Sequence, residues 1–457
     1  MVADGMSAGV PSLAEPFARL TRGRGTNWTR LAGDARTSIG WVETASLSSL
    51  VTDSSAASTA WATGSRVFNG SVNVLPDGTR LTPIGLLARD AGRRIGLVTT
   101  TTITHATPAG FVAVHPNRDD EEVIAAQYLN AVDVLLGGGR QFFDPQSRKD
   151  KRDLKGEYAA AGYALCDSRD ALLRSRSSTR LLGLFSRSHV PYTIDCRNDA
   201  ELGRATPTLA EMAEVALGIL RTSRHGFLLQ IEGGRVDHGA HANDAAAMLW
   251  EQLAFDDAIG VVLEFAQQVP DTLVVITADH GNSNPGLTGI GEEYVDSTRG
   301  LERMAKATAS FGTIKQRVLA AAVEATAIVP ATVIDLIQST CGIDLSPADA
   351  GAVGAAALGA PSHEITKQHA NFNGILAQVL GNHTGLEWAG SSHTSDVTML
   401  MAVGPGREDF AGWRPNTDAY GAMTRLMGIT HKNPSMSVEE AKRYLGSQAT
   451  AETPHWL

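Results

Sequence analysis

Three apolar runs in this chain stop at residues able to bind cations, and that pattern narrows the folds open to it more than any other feature. Asp4 follows Met1-Val2-Ala3, Glu232 follows Phe227-Leu228-Leu229-Gln230-Ile231, and Asp279-His280 follows Leu273-Val274-Val275-Ile276-Thr277-Ala278. Near-continuous apolar runs of this length are the mark of strands covered on both faces, as in a parallel sheet between helices. In open α/β sheets, ligands bind beyond the carboxyl ends of the strands. Three such strands would deliver acids and an imidazole to one edge, which is a metal site in outline.

The rest of the chain fits that frame. Segments 94–101, 132–136, 226–231, 272–277 and 397–403 read as strands, and 82–90, 119–130, 208–221, 244–267 and 437–444 as helices. Their alternation predicts an α/β fold: a large, mostly parallel central sheet flanked by helices. A chain of 457 residues can form one such domain, and no internal repeat or low-complexity linker divides it. The alanine-rich stretch at about 292–382 reads as a helical insertion or cap within that single domain, 1–457. The chain opens on what reads as the end of a strand whose front is missing, which suggests a truncated N-terminus. An export signal would then lie upstream.

Charge limits the partners. A net charge of -10 disfavours nonspecific attraction to nucleic acid or an anionic membrane, so an anionic substrate must be held by local cations. Bound metals would supply them. Cys166, Cys196 and Cys341 are widely spaced with no CxxC pair, so neither a thiolate metal site nor a disulfide framework is indicated. No apolar stretch approaches the length of a membrane span.

Asp237 and His241 are spaced i, i+4, one turn apart on one face of a helix, as two ligands of one ion require. Asp and His without thiolates suit a zinc ion that keeps a position open, whereas Asp, Glu and Thr oxygens suit magnesium. Two divalent ions roughly 3.5–4 Å apart can clamp the attacking and departing oxygens of a phosphoryl transfer. The best nucleophile lies in Val51-Thr52-Asp53-Ser54-Ser55-Ala56-Ala57-Ser58-Thr59-Ala60-Trp61, where small residues crowd a helix start. Ser54 would sit at the helix N-terminus, whose free amides and dipole favour a phosphate and an alkoxide.

Asp53-Ser54 and its small-residue tail resemble the active-site signature of alkaline phosphatases, and the other clusters follow in the same order from Asp4 to about Gly406. One departure is Ser58, where that family usually has Gly or Ala. The resemblance implies a phosphomonoesterase with two Zn2+ ions and one Mg2+ ion, acting on small-molecule phosphate monoesters through a phosphoserine on Ser54. It makes Asp4 a bridge between the magnesium and one zinc. Thr107, in Thr104-His105-Ala106-Thr107-Pro108-Ala109, and Glu232 become magnesium ligands. Asp237, His241 and His393 go to the first zinc, Asp279 and His280 to the second, and Arg118 clamps the phosphate. His105 and His238 would support the magnesium site without ligating, as in members with His at both positions. Family members are commonly homodimers acting outside the cytoplasm, which implies a periplasmic or secreted protein.

Each residue taken singly has a plainer reading. Asp53-Ser54 is an N-cap, Arg118 an ion pair with its acidic neighbours, Thr107 a turn residue before Pro108, and Asp4 a cap for the next helix. Glu232 would pair with Arg235, and Asp279-His280 would cap a turn. His383 also stands before a threonine, but the strand after His393 and the Gly404-Pro405-Gly406 turn favour His393. Two other functions share many of these residues. One is a phosphodiesterase or nucleotide pyrophosphatase, against which Thr107, Glu232 and Arg118 argue. The other is a noncatalytic metal- or phosphate-binding relative.

Overall fold

The computed structural model describes residues 1–321, 328–360 and 367–447. Six strands form its central sheet: β1 (Val2–Ala3), β3 (Arg94–Thr102), β4 (Val134–Gly138), β5 (Ala164–Cys166), β6 (Leu181–Leu184) and β7 (Phe227–Gly233). All are parallel, in the order β1-β7-β3-β4-β6-β5. A second sheet of four strands comprises β2 (Ser38–Glu43), β8 (Val274–Ile276), β13 (Thr398–Val403) and β14 (Gly412–Pro415), in the order β14-β2-β13-β8. The two sheets meet at β1, where Val2 bridges Thr277, Ala3 N donates to Thr277 O at 2.9 Å, and the Met1 ammonium donates to Val275 O at 2.7 Å.

Apolar side chains cover both faces of the parallel sheet, as its unbroken runs require. Val98, Val134, Leu136 and Ile231 pack under the Gly9–Arg22, Leu209–Leu220 and Ala245–Gln268 helices. Ile95, Leu97, Leu135 and Leu182 pack on the other face against Ile84, Ile124 and Tyr128. The Phe311–Ala320, Pro330–Cys341, Pro347–Ala357 and Phe372–Thr384 helices surround a separate cluster that includes Ile314, Ile337, Val353 and Leu376. Trp388 packs against both this cluster and the main core.

Element ends differ from the sequence reading for local reasons. β7 runs on through Glu232 to Gly233, because Glu232 still pairs with Val2 and Thr99 on its two sides. The helix expected at 119–130 is confined to Glu121–Gln127, and Asn130 turns the chain with φ 63°. The last helix holds α geometry only over Val438–Ala441, beginning at a capping box between Ser437 and Glu440, and continues as a 3-10 turn.

Two short antiparallel ladders finish the site. β9 (Gly281–Asn282) pairs with β12 (His393–Thr394), setting His393 opposite Asn282, and β10 (Gly286–Leu287) pairs with β11 (Leu386–Glu387).

Candidate metal and phosphate site

β1, β7 and β3 are neighbours, so their carboxyl ends bring Asp4, Glu232 and the Thr99–Thr107 segment to one place. β8 adds Asp279 and His280 from the far side of β1. Three groups of side chains there can each surround a cation, with ligand atoms within 4.8 Å of one another: Asp237, His241 and His393; Asp4, Asp279 and His280; and Asp4, His105 and Glu232. Asp4 belongs to two of them. His105 therefore offers a ring nitrogen at ligand distance, although the resemblance assigns it only a supporting place.

In the first group, Asp237 and His241 share a face of the Arg235–His241 helix, with Asp237 Oδ2 3.3 Å from His241 Nε2. Asn282 Nδ2 donates to Asp237 Oδ1 at 2.6 Å. His241 Nδ1 is 2.7 Å from Ser391 O, and His393 Nδ1 is 2.8 Å from Thr52 O. A carbonyl only accepts, so each Nδ1 carries a proton and each Nε2 is left facing Asp237, at 3.3 Å from Oδ2 for His241 and 3.7 Å from Oδ1 for His393. The two Nε2 atoms nevertheless lie 3.1 Å apart. A cation placed between them would be held by both nitrogens and by the Asp237 carboxylate. The donor set of two nitrogens and a carboxylate fits zinc.

The other groups show the same deficit of positive charge. Asp4, Glu232, Asp237 and Asp279 are buried together. Both Asp4 oxygens, Glu232 Oε1, Asp279 Oδ2 and the Thr107 hydroxyl make no hydrogen bond. Burial, with the charges of Asp279, Asp237 and Glu232, pushes the Asp4 carboxyl well above its ordinary range, and burial moves Glu232 up to about 7. His280 Nε2, 3.5 Å from Asp4 Oδ1 and 3.2 Å from Asp279 Oδ2, is one imidazole among several buried carboxylates, and hard oxygen ligands such as these suit magnesium as well as zinc. Asp237 goes the other way: burial would raise it, but His241, His393 and His280 hold it well below the usual value.

Ser54 opens the Ser54–Thr63 helix, whose N-cap is Asp53, with Asp53 Oδ1 accepting from Ala56 N at 2.9 Å. Ser54 is 2% exposed, and its Oγ lies 3.2 Å from His280 Nε2. Asp53 Oδ2 accepts from Arg118 Nη1 at 3.0 Å, from Ser55 Oγ at 2.7 Å and from Gly70 N at 2.9 Å. Burial alone would raise the Asp53 carboxyl, but the guanidinium and these donors keep it below the ordinary range. Arg118 Nη2 also lies 3.2 Å from His105 Nε2. The Asp53 carboxylate thus fixes both the helix start and the arginine beside the serine.

A profile of the alkaline phosphatase family matches residues 1–429. The chain belongs to the alkaline phosphatase family. It is 29% identical to alkaline phosphatase 4 of Bacillus subtilis (strain 168) over 390 residues, covering 82% of this chain and 77% of that one. It superposes on the Thermus thermophilus alkaline phosphatase with a TM-score of 0.91 at 38% identity, covering 98% of this chain and 94% of the other. The alkaline phosphatase of the Antarctic bacterium TAB5 shares the fold, with a TM-score of 0.66 at 22% identity over 94% of this chain and 97% of that chain. A mutant of that enzyme has been solved with Mg bound in its M3 site. This chain is an enzyme of the alkaline phosphatase class.

Every site residue expected from the sequence lies in or beside this cluster. His393 sits with Asp237 and His241, whereas His383 lies in the Phe372–Thr384 helix. His238 stands edge-on to His105 with ring centroids 5.8 Å apart. His189 is an addition: its ring lies 4.5 Å from that of His238 and 5.9 Å from that of His105, and its Nδ1 accepts from Thr102 N at 3.1 Å. Burial and Arg235 lower its pKa to about 3, so at neutral pH it is a neutral ring packed on two others. Asn282 is a second addition. No sequence motif marks His189, because only the loop after β6 carries it here; Asn282 is signalled only by its place two residues beyond His280.

Proposed function

We propose that this chain hydrolyses phosphate monoesters to an alcohol and inorganic phosphate through a phosphoserine on Ser54, at a centre of two Zn2+ ions and one Mg2+ ion. The observation that carries this reading is the contact of Ser54 Oγ with His280 Nε2, one residue from the Asp53–Arg118 ion pair. A hydroxyl, a metal-ligand imidazole and a phosphate-binding guanidinium are then within reach of one phosphoryl group.

Asp237, His241 and His393 would hold one zinc, Asp279 and His280 the other, and Thr107 and Glu232 the magnesium, with Asp4 shared between the magnesium and a zinc. When bound, the ions neutralise the buried carboxylates, acidify the serine hydroxyl and the attacking water, and stabilise the charge on the departing oxygen.

Ser54 Oγ loses its proton and forms a bond to phosphorus as the bond from phosphorus to the ester oxygen breaks, and the departing oxygen takes up a proton. Water then gives up a proton as it attacks the phosphoserine, the bond from phosphorus to Ser54 Oγ breaks with Oγ taking a proton back, and inorganic phosphate leaves. The two in-line steps invert phosphorus twice. The planar fork of Arg118 binds two phosphoryl oxygens throughout, and the helix N-terminus at Ser54 adds its dipole. The contacts invoked are to the phosphoryl group, so discrimination between leaving groups is expected to be weak. Action outside the cytoplasm and a homodimeric assembly rest on family resemblance alone.

The test compares hydrolysis of an aryl phosphate monoester and an aryl diester by metal-loaded protein, alongside metal analysis of wild type and Ser54→Ala. Monoesterase activity lost in Ser54→Ala with metals retained is the expected result. A faster diester reaction would instead mark a phosphodiesterase, and metal-loaded protein without turnover a noncatalytic relative.

A further inference from the structure

The Asp53–Arg118 pair is held by a third segment that no part of the mechanism uses. Asn69 Oδ1 accepts from Asp53 N at 3.1 Å, and Asn69 Nδ2 donates to Val51 O at 3.0 Å, so one side chain grips the backbone on both sides of Thr52. Asn69 N is itself anchored on Ser48 Oγ at 3.0 Å. The next residue works on the ion pair directly. Gly70 N donates to Asp53 Oδ2 at 2.9 Å, and Gly70 O accepts from Arg118 N at 2.8 Å. Two residues on, Val72 and His115 exchange both backbone hydrogen bonds at 2.9 Å, joining this segment to the loop that carries Arg118. Gly70 has φ 86°, in the left-handed region, with open space where a Cβ would stand.

These contacts form a clamp. The serine segment and the arginine loop are far apart in sequence, and the Asn69–Val72 segment is hydrogen-bonded to both. We propose that Asn69 and Gly70 are positioning residues for phosphate binding: they set the Asp53 carboxylate and the Arg118 backbone in register, so that the guanidinium fork meets the phosphoryl group beside Ser54. Neither residue needs to touch the substrate. The inference deepens the phosphomonoesterase reading and rests on it for the identity of the bound group. An arginine tethered only by its side-chain ion pair would keep its charge but lose its aim, and small displacements of positioning groups are costly in rate and affinity.

The test is calorimetric titration of metal-loaded protein with inorganic phosphate, together with kcat and KM for an aryl monoester. Asn69→Ala is expected to weaken phosphate binding on the order of 10-fold, raising KM in step, with metal content and melting temperature close to wild type. In an Arg118→Ala background the same substitution should change phosphate affinity less than about twofold, because the group it positions is gone. At Gly70 the expected order of affinity is wild type, then Gly70→Asn, then Gly70→Ala, since asparagine tolerates positive φ better than alanine. Space at the Cβ position means that bulk would not produce this order. Equal losses with and without Arg118, or phosphate affinity in Asn69→Ala within about twofold of wild type, would overturn the proposal. So would wild type that binds no phosphate. Wild type that binds phosphate yet turns over no monoester would refute the enzymatic reading while leaving the clamp tested.

Discussion

Gly5 stands against Asp237 so closely that a Cβ on the glycine would lie 2.4 Å from Asp237 Oδ1 and 2.9 Å from its Cα. Gly5 also has φ 67°, and its N–H donates to Asp279 Oδ1 at 3.1 Å. One residue after Asp4 therefore lets carboxylates of different candidate metal groups approach one another. Gly5→Ala should push Asp237 out of place and strain the backbone, at about 1–3 kcal/mol. Metal analysis should show loss of bound zinc in a protein that remains folded by circular dichroism. A variant with full metal content would show that the contact relaxes harmlessly.

Removing metal should cost stability, because buried carboxylates and paired imidazole lone pairs are left without a cation. An ion present at 1,000 times its Kd stabilises the folded chain by about 4 kcal/mol. Treatment with a chelator should lower the melting temperature, and adding back zinc and magnesium should restore it. Identical melting with and without chelator would count against cations as part of the fold.

Ser58 ties the serine-bearing helix to the segment that carries Thr107. Its Oγ donates to Thr107 O at 2.7 Å, in a spot so close that a Cβ on Gly110 would come within 2.1 Å of Ser58 Oγ. Ser58→Ala should cost about 1 kcal/mol, read as a lower denaturant midpoint, with phosphatase rate nearly unchanged. A large fall in rate would mean that the hydroxyl does more than join two helices.

Asp244 gives a pH dependence with a definite sign. It caps the Ala245–Gln268 helix through Ala247 N at 3.0 Å and reaches across to Phe311 N at 2.6 Å, where the Phe311–Ala320 helix begins. Burial, and to a lesser degree the nearby Asp195, raises its pKa to about 7 against the pull of these amides. The folded state thus holds this proton more tightly than the unfolded one. The stability it contributes is complete below about pH 4 and is lost as pH rises towards about 7, at about 1.4 kcal/mol for each tenfold difference in proton affinity between the two states. Urea unfolding of wild type and Asp244→Asn at several pH values should show wild type losing ground to the variant across that window. A constant difference would place the Asp244 pKa near its ordinary value.

Much of the site was legible because its chemistry sits at the ends of strongly apolar strands and in one helix turn. Asp4, Glu232 and Asp279 follow buried runs, and Asp237 and His241 share a helical face at a spacing the sequence displays. β2 and β14 were harder to see, since β2 alternates exposed and buried residues around Gly40 and β14 is a four-residue edge strand with no buried residue and a terminal proline. β5 is only three residues long. His393 lies in a two-residue strand whose existence depends on its partner, Gly281–Asn282, so only the longer strand and the turn that follow it mark it in the sequence. His189 and Asn69 escaped for a related reason: each acts through contacts with segments distant in the chain.

The sequence alone determined the kinds of ligand, the helix start at Ser54 and the class of sheet, because residue chemistry, i, i+4 spacing and apolar runs are local properties. Tertiary structure decided which acids are placed to share a cation. β1 lies between β7 and the end of β8, with Val2 opposite both Glu232 and Thr277, and that placement alone makes Asp4 common to two groups. Strand order is settled by which apolar faces can be buried together, a property of the whole chain that the composition of no single segment contains.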